Sequence, residues 1–261
     1  MSYILQHSSS GLKRLALQHE IYRESSELLL KKSGIQKNMR VLEIGTGGAE
    51  MSAWLTNFLS LGKLLSIDIS EDYVDLANQS INSNRFKAVQ KDIYHIDSSL
   101  GEFDLIYCRM VLHHLQQPEL AIEAIRSVMK PGTIFVCEEP IGPTGCFAYP
   151  DPKGTMENFI KLVVGCFEKN GVAYDVGVYL HHFLNKNKMK ITFQGHVQPL
   201  LIGEHRHMFE LNTQEISPRI VSNGLADETQ VEMLAKDMKQ LMAEADAVGL
   251  YRMFQYIAVA S

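Results

Sequence analysis

Short apolar runs alternate with longer amphipathic segments between residues 39 and 140. The short runs are rich in β-branched and aromatic residues and predict strands at residues 40–44, 63–67, 86–90, 103–107 and 133–137. The longer segments predict helices at residues 50–59, 71–83 and 118–129. Strands that alternate with helices at this spacing indicate βαβ units and a parallel sheet, whose ligand sites lie at the carboxyl ends of the strands.

The chain on either side of this region is mainly helical in pattern. One or two amphipathic helices are predicted over residues 8–33, and Gly34 after two lysines is typical of a helix end. A loop rich in glycine and proline follows at 141–154. The remaining predicted elements are helices at 155–169 and 175–186, a strand at 190–197, a helix at 217–248 with Pro218 at its first position, and a last strand at 251–260.

Composition narrows the class of protein. Hydrophobic residues make up 46% of the 261 positions and the net charge is -5, which is ordinary for a globular protein and argues against a nucleic-acid partner. The four cysteines show no CxxC spacing, as expected in a reducing cytosol. No apolar run reaches membrane-spanning length and the first residues lack a signal-peptide pattern, so we expect a cytoplasmic protein with no membrane partner.

The stretch "VLEIGTGGAE", residues 41–50, joins the first strand to the first helix and admits two interpretations. A dinucleotide fingerprint G-x-G-x-x-G is matched by Gly45 and Gly47, but Glu50 occupies its third position, where a carboxylate would oppose a pyrophosphate. The alternative is a cofactor with a cationic amino-acid end, such as S-adenosylmethionine. Glu43 would attract its ammonium group, and the glycines, including Gly48, would let the backbone approach it.

Two further carboxylates follow strands at the same edge of the predicted sheet. Asp68 ends the second strand, where it can accept hydrogen bonds from ribose hydroxyls of either kind of cofactor. Asp92 ends the third strand and can accept a hydrogen bond from an adenine amino group, with Ile69 and Ile93 on the two sides of the ring. The ordered set of features favours S-adenosylmethionine.

These motifs resemble those of the class I S-adenosylmethionine-dependent methyltransferases, most closely the small-molecule branch that includes quinone-biosynthesis enzymes. The resemblance rests on "VLEIGTGGAE", "LLSIDIS", "KDI", "FDLIYCRMVLHHL" and "MKPGTIFVCEEP", and covers about residues 38–140. It implies an α/β fold with a Rossmann-like, seven-stranded, mostly parallel sheet and an antiparallel last strand, "YRMFQYIAVA". It also implies a cofactor site lined by Glu43, Gly45, Thr46, Gly47, Gly48, Asp68, Ile69, Asp92, Ile93, Cys108 and Arg109, with Gln18 above it.

The chain departs from this family in two places. The first motif of the family more often ends in glycine, where this chain has Ala49. We expect the one added methyl group to be tolerated. Residues 141–250 match only loosely, so the acceptor cannot be inferred. We expect four parts: a helical cover at 1–34, the cofactor-binding core at 35–140, the rest of the core with helical substrate-cap insertions at 141–250, and the last core strand at 251–261.

His113 and His114 follow the fourth strand, close to where a transferable methyl group would lie. Either could be a general base for an acceptor hydroxyl or amine, although local packing is the commoner role of such residues. His205 and His207 would share one face if their segment is extended, and we expect them to border a polar pocket or to be exposed. The ligand count is too low for zinc, so no metal site is expected.

Together these observations predict metal-independent methyl transfer from S-adenosylmethionine to a small-molecule acceptor by in-line displacement. A protein that binds the cofactor without catalysis, a protein methyltransferase and an NAD-dependent oxidoreductase stay open as alternatives, the last being weakened by Glu50 and by Asp92. An RNA substrate is disfavoured by the acidic charge. A homodimer is one open oligomeric state.

Overall fold

A computed structural model describes residues 9–141, 145–172 and 174–261. The strands are β1 Arg40–Ile44, β2 Lys63–Asp68, β3 Phe86–Gln90, β4 Leu105–Arg109, β5 Ile134–Pro140, β6 Phe147–Tyr149, β7 Met189–Val197, β8 Ala247–Gly249 and β9 Met253–Ala260. The helices are α1 Ser9–Lys32, α2 Glu50–Phe58, α3 Glu71–Ser80, α4 Pro118–Ser127, α5 Thr155–Lys169, α6 Val176–Lys186, α7 His207–Ser222 and α8 Glu228–Glu244.

Seven of the strands form one sheet in the order β3-β2-β1-β4-β5-β9-β7. The first five run parallel to one another, whereas β9 is antiparallel to both of its neighbours, β5 and β7. The predicted Rossmann-like sheet with an antiparallel last strand is therefore confirmed. Its strand order reverses between β1 and β4, and that switch point is where ligands bind in open α/β sheets.

Local sequence signals explain several helix ends. The side chain of Ser70 accepts a hydrogen bond from the Tyr73 N–H at the start of α3, and Pro118 occupies the first turn of α4. Asp227 and Gln230 form a reciprocal capping box at α8. Among the described residues, no helix combines the length and the apolar character needed to cross a membrane.

The prediction of one helix over 217–248 is wrong. The structure has two helices, α7 and α8, and Pro218 lies inside α7 rather than at its first position. The break follows Gly224, whose φ of 63° is left-handed, and the capping box at Asp227 then starts the second helix. The apolar spacing continues through the break because both helices pack on the same core, so periodicity alone did not reveal it.

Other elements also differ from the prediction. The fourth strand is displaced to β4, and the fifth extends through Pro140, which brings Glu138 and Glu139 into the sheet. A small antiparallel pair, β6 with β8, was not predicted because each strand has only three residues and the two lie far apart in sequence. The helices α1, α5 and α7 enclose the carboxyl edge of the sheet near the switch point.

Candidate active site

A cavity of about 220 Å³ lies at the carboxyl ends of β1, β2 and β4, beneath α1, α5 and α7. One side, here called the sheet side, is lined by residues that follow β1, β2 and β3. The other, called the aromatic side, is lined by Phe159, Val163, Phe167, Tyr174, Phe209, Ile216 and Tyr251. Thirteen of the predicted site residues line this cavity: Gln18, Glu43, Gly45, Thr46, Gly47, Gly48, Asp68, Ile69, Asp92, Ile93, Arg109, His113 and His114.

The turn between β1 and α2 needs unusual backbone conformations. Gly45 has a φ of 85°, and a Cβ there would overlap the side chain of Val111. Ala49, in the departure from the family pattern, also has a left-handed φ of 71° while its methyl group is buried. A left-handed alanine costs about 1 kcal/mol. The penalty of this replacement therefore lies in the backbone conformation, since the methyl group is accommodated.

Glu43 is a buried carboxyl group at the floor of the sheet side. One of its oxygens, Oε2, accepts hydrogen bonds from the hydroxyl groups of Ser52 and Ser66. Burial raises the pKa of Glu43 to about 7, although these two hydrogen bonds act in the opposite direction. A nearby cation would shift the group to its ionised form, so the site is suited to an ammonium group.

Asp68 is the last residue of β2 and Asp92 lies just beyond β3, and both also stabilise local turns. Asp68 accepts hydrogen bonds from the N–H groups of Gly47, at 3.2 Å, and Ser70, at 3.0 Å. Asp92 accepts one from the N–H of Tyr94 at 3.0 Å. These hydrogen bonds set the orientation of both carboxylates before any ligand binds. Both carboxylates line the cavity.

One polar atom in the turn has no protein partner among the described residues. It is the hydroxyl oxygen of Thr46, which is buried. A buried hydroxyl without a hydrogen bond is costly, so the atom indicates a polar ligand. With the carboxyl groups of Glu43 and Asp68 and the open backbone at Gly45, the donor and acceptor set fits an amino-acid-bearing nucleoside such as S-adenosylmethionine.

Arg109 lies at the end of β4 and lines the cavity, whereas Cys108 does not. The guanidinium of Arg109 donates to Ser26 Oγ at 3.1 Å and lies 3.4 Å from His19 Nδ1. Cys108 is fully buried, and its sulfur faces Cys137 and Glu139 behind the site. The expectation that Cys108 lines the cofactor site is wrong for its side chain, because adjacent residues of a strand point to opposite faces.

α1 closes the cavity through a buried polar network. Arg14 Nε donates to Glu215 on α7 at 2.6 Å, and Arg14 Nη1 donates to Gln18 at 2.8 Å. The same oxygen of Gln18 accepts a hydrogen bond from the hydroxyl of Tyr251 at 3.1 Å. Gln18 thus lines the cavity from the side of α1, while Arg14, Glu215 and Tyr251 were not identified from the sequence.

His113 is held by Glu139, the most important residue that the sequence interpretation missed. The ring Nδ1 of His113 lies 2.8 Å from Glu139 Oε2. The other carboxylate oxygen accepts the backbone N–H groups of Val111 and Leu112, both at 2.8 Å. Burial lowers the pKa of His113 to about 3, so its ring is neutral at pH 7. "EEP" marked the end of a strand, but only the register of β5 beside β4 shows which glutamate faces the histidine.

Among the residues that the structure describes, His205 and His207 do not line the cavity. His205 lies in a short 3-10 turn and His207 begins α7, so their segment is not extended and the condition for a shared face is not met. The ligand atoms of Cys108, Cys137 and Glu139 lie within 4.8 Å of one another. Burial raises the pKa of both thiols, and both Glu139 oxygens already accept hydrogen bonds. We interpret this group as part of the hydrogen-bond network around His113.

The chain matches the family model described as a methyltransferase domain over residues 17–174. It is 26% identical over 154 residues to a demethylmenaquinone methyltransferase from Staphylococcus aureus, a match that covers 58% of this chain and 61% of that protein. The chain spans between 24% and 61% of the length of the curated relatives that it matches.

Solved structures share the fold at low identity. A SAM-dependent methyltransferase from Aquifex aeolicus superposes with a TM-score of 0.58 at 16% identity, covering 98% of this chain and 100% of that one. The N-methyltransferase NodS from Bradyrhizobium japonicum, solved in complex with S-adenosyl-L-homocysteine, gives 0.55 at 15% identity and covers 92% and 88%. These likenesses concern the fold.

Proposed function

The chain belongs to the class I S-adenosylmethionine-dependent methyltransferases, and from this premise we propose that it methylates a small molecule held inside its cavity. One observation carries the proposal. A single cavity joins an acidic, glycine-rich sheet side to an enclosed side walled by aromatic residues. An enclosed apolar pocket is typical of small-molecule sites, which favours a small acceptor over a folded protein or an RNA strand.

The sheet side supplies the groups that would hold the cofactor. Glu43 is placed to attract the ammonium group, and Asp68 to accept hydrogen bonds from the ribose hydroxyls. Asp92 would accept a hydrogen bond from the adenine amino group, with Ile69 and Ile93 beside the ring. The arrangement supports the assignment because all five residues line one cavity in the order that the strands impose.

The protein's own task in such a reaction is to position and to enclose. The bound sulfonium would supply an electrophilic methyl group, so a nucleophile held in line with it needs little further activation. Phe159, Phe167 and Phe209 would orient the apolar body of the acceptor. α1 would keep water away from the reacting atoms, since Arg14 and Gln18 lie over the cavity.

Different segments of the chain would have different roles in this function. Residues 1–34 would serve as the cover and 35–140 as the cofactor-binding core. Residues 141–250 would contribute the acceptor walls in addition to one strand of the sheet, β7. This assignment is supported by the origin of the aromatic side, whose residues lie between 159 and 216 apart from Tyr251, the first residue of the last part.

Cofactor binding is the first test, measured by titration calorimetry with S-adenosylmethionine, S-adenosylhomocysteine and NADH. We expect micromolar binding of the first two and none of NADH. Asp68→Ala should abolish binding, whereas Asp75→Ala on the exposed face of α3 should preserve it. Binding of NADH alone, or binding that Asp68→Ala leaves intact, would contradict the proposal.

The second test asks whether the methyl acceptor is a small molecule or a macromolecule. The protein is incubated with methyl-tritiated S-adenosylmethionine and a cell extract that ultrafiltration has divided into small molecules and macromolecules. We expect tritium in an extractable product of the small-molecule fraction. Tritium in the protein or RNA fraction would overturn the small-molecule acceptor, and cofactor binding without transfer to either fraction would favour the non-catalytic alternative.

A further inference from the structure

We propose that Glu139 is a positioning residue that presents His113 Nε2 to the cavity as a proton acceptor, and that the methyl acceptor carries a hydroxyl group at that point. The inference rests on the proposed function and names the chemical class of its acceptor. It also assigns a role to a buried carboxyl group that does not itself line the cavity.

Glu139 is fixed by more contacts than a structural turn requires. Its Oε1 accepts the backbone N–H groups of Val111 and Leu112, and its Oε2 accepts the backbone N–H of His113 at 3.3 Å as well as facing the ring Nδ1. The carboxyl group is fully buried at the end of β5. Four contacts leave it one orientation, and the ring of His113 is held with it.

The hydrogen bond to Glu139 determines which ring nitrogen of His113 is available. A neutral imidazole that donates from Nδ1 has its lone pair on Nε2. Nε2 has no hydrogen-bond partner in the part of the chain that the structure describes, and His113 lines the cavity. Burial raises the pKa of Glu139 to about 7, so above that pH its carboxylate is ionised and accepts from Nδ1. In that state the structure presents Nε2 as a hydrogen-bond acceptor to whatever occupies the aromatic side.

The charges around His113 favour a hydroxyl over an amine. The carboxylates that line the cavity, Glu43, Glu50, Asp68 and Asp92, all belong to its sheet side. Both oxygens of Glu139 are already engaged by His113 and by backbone N–H groups, so a cationic amine near His113 would have no free carboxylate to pair with. Arg14 is the charged side chain that acts on the ring of His113. The other titratable groups near the pair have pKa values shifted by burial toward their neutral forms: Cys108, Cys137, His114 and Tyr174.

In the proposed methyl transfer, His113 is the base and the sulfur of the methyl donor is the leaving atom. The hydroxyl proton of the acceptor moves to His113 Nε2, and the acceptor oxygen forms the new bond to the methyl carbon. The carbon–sulfur bond of the methyl donor breaks, and its electron pair stays on sulfur. The imidazolium that forms is stabilised by the carboxylate of Glu139, and its proton later passes to water.

The first test reads the tautomer of His113 without any acceptor. Long-range ¹⁵N–¹H NMR at pH 8 on the complex with S-adenosylhomocysteine should show Nδ1 protonated and Nε2 bare. In Glu139→Gln the amide oxygen stays with the two backbone N–H groups, so its NH₂ replaces Oε2 and donates to Nδ1. We therefore expect the variant to invert the tautomer and to protonate Nε2.

Glu138→Gln is the matched control. Glu138 is equally buried and adjacent in β5, but it accepts from the hydroxyl of Tyr107 at 2.7 Å and from Gln255 at 2.8 Å on the other face of the sheet. Its replacement should leave the His113 tautomer unchanged. An unchanged tautomer in Glu139→Gln, or an equal change in Glu138→Gln, would overturn the role of Glu139.

The second test measures the acceptor class by binding to the S-adenosylhomocysteine complex. The probes are p-cresol and 2-naphthol, their hydrocarbon counterparts toluene and naphthalene, and the cation benzylamine. We expect at least one phenol to bind ten times more tightly than its hydrocarbon and than benzylamine. Glu139→Gln should lose that advantage while toluene and naphthalene bind as before.

The binding results distinguish a failure of the proposed function from a failure of the hydroxyl-bearing acceptor alone. Failure to bind S-adenosylhomocysteine would remove the proposed function itself. Retained cofactor binding with no preference for a phenol, with a preference for benzylamine, or with no binding of any phenol would overturn only the hydroxyl-bearing acceptor.

Discussion

The guanidinium of Arg14 on α1 lies 2.6 Å from the carboxylate of Glu215 on α7, and both side chains are at least 95% buried. The pair joins the first helix of the described chain to a helix two hundred residues later, directly over the cavity. A buried ion pair adds little net stability, but removal of one partner leaves an uncompensated buried charge.

We predict from this pair that Arg14→Met lowers the free energy of unfolding by about 3 kcal/mol, and that the double variant Arg14→Met/Glu215→Leu recovers most of it. Chemical denaturation of the four combinations measures the coupling. The control is Lys130→Met, which breaks the exposed pair with Glu102 and should change stability by less than about 1 kcal/mol. Equal losses in the single and double variants would contradict the prediction.

Glu43 should couple cofactor binding to proton release. Its pKa of about 7 leaves it mostly protonated at pH 6, and the ammonium group of a bound cofactor would favour the ionised form. Binding of S-adenosylhomocysteine at pH 6 should therefore release up to one proton. Calorimetry in buffers of different ionisation enthalpy measures this release, which should disappear in Glu43→Gln. The same release in both proteins would exclude Glu43 as its source.

The same group should make the unliganded protein less stable as the pH rises. Burial raises the pKa of Glu43 from 4.5 to about 7, so between these pH values the folded state holds a proton that the unfolded state has released. Stability contributed by the protonated form is present below pH 4.5 and is lost up to about pH 7, on the order of 3 kcal/mol in all. Denaturation at several pH values should show Glu43→Gln gaining stability relative to wild type across this window; parallel curves would refute it.

Gly45 should not tolerate a side chain, and Gly132 is the matched control for the cost of backbone strain. Gly45 and Gly132 have φ values of 85° and 88°, so alanine costs about 1 kcal/mol of backbone strain at each. A Cβ at Gly45 would also overlap Val111, whereas nothing lies within 4 Å of one at Gly132. We expect Gly45→Ala to lose S-adenosylhomocysteine binding and Gly132→Ala to keep it, as measured by calorimetry and thermal denaturation. Equal behaviour of the two variants would show that backbone strain alone matters.

Local sequence determined the alternating core and most of the sheet side. The strand that ends before Gly45, the carboxylates at Asp68 and Asp92, and the helix at 155–169 all follow from short-range patterns. Such patterns are readable because apolar periodicity, turn glycines and caps depend on neighbours within a few residues. The left-handed turn conformations at Gly45 and Gly47 also follow from a short-range pattern, the local run of glycines.

Tertiary structure alone decided which distant groups meet. The contact between Arg14 and Glu215, the pair of His113 with Glu139, and the exclusion of Cys108 from the cavity depend on strand register and helix docking. The register of β5 beside β4 places Glu139 rather than Glu138 against the histidine. Contacts across such separations leave no periodic trace in the chain, because any residue of the right chemistry on the facing element would satisfy them.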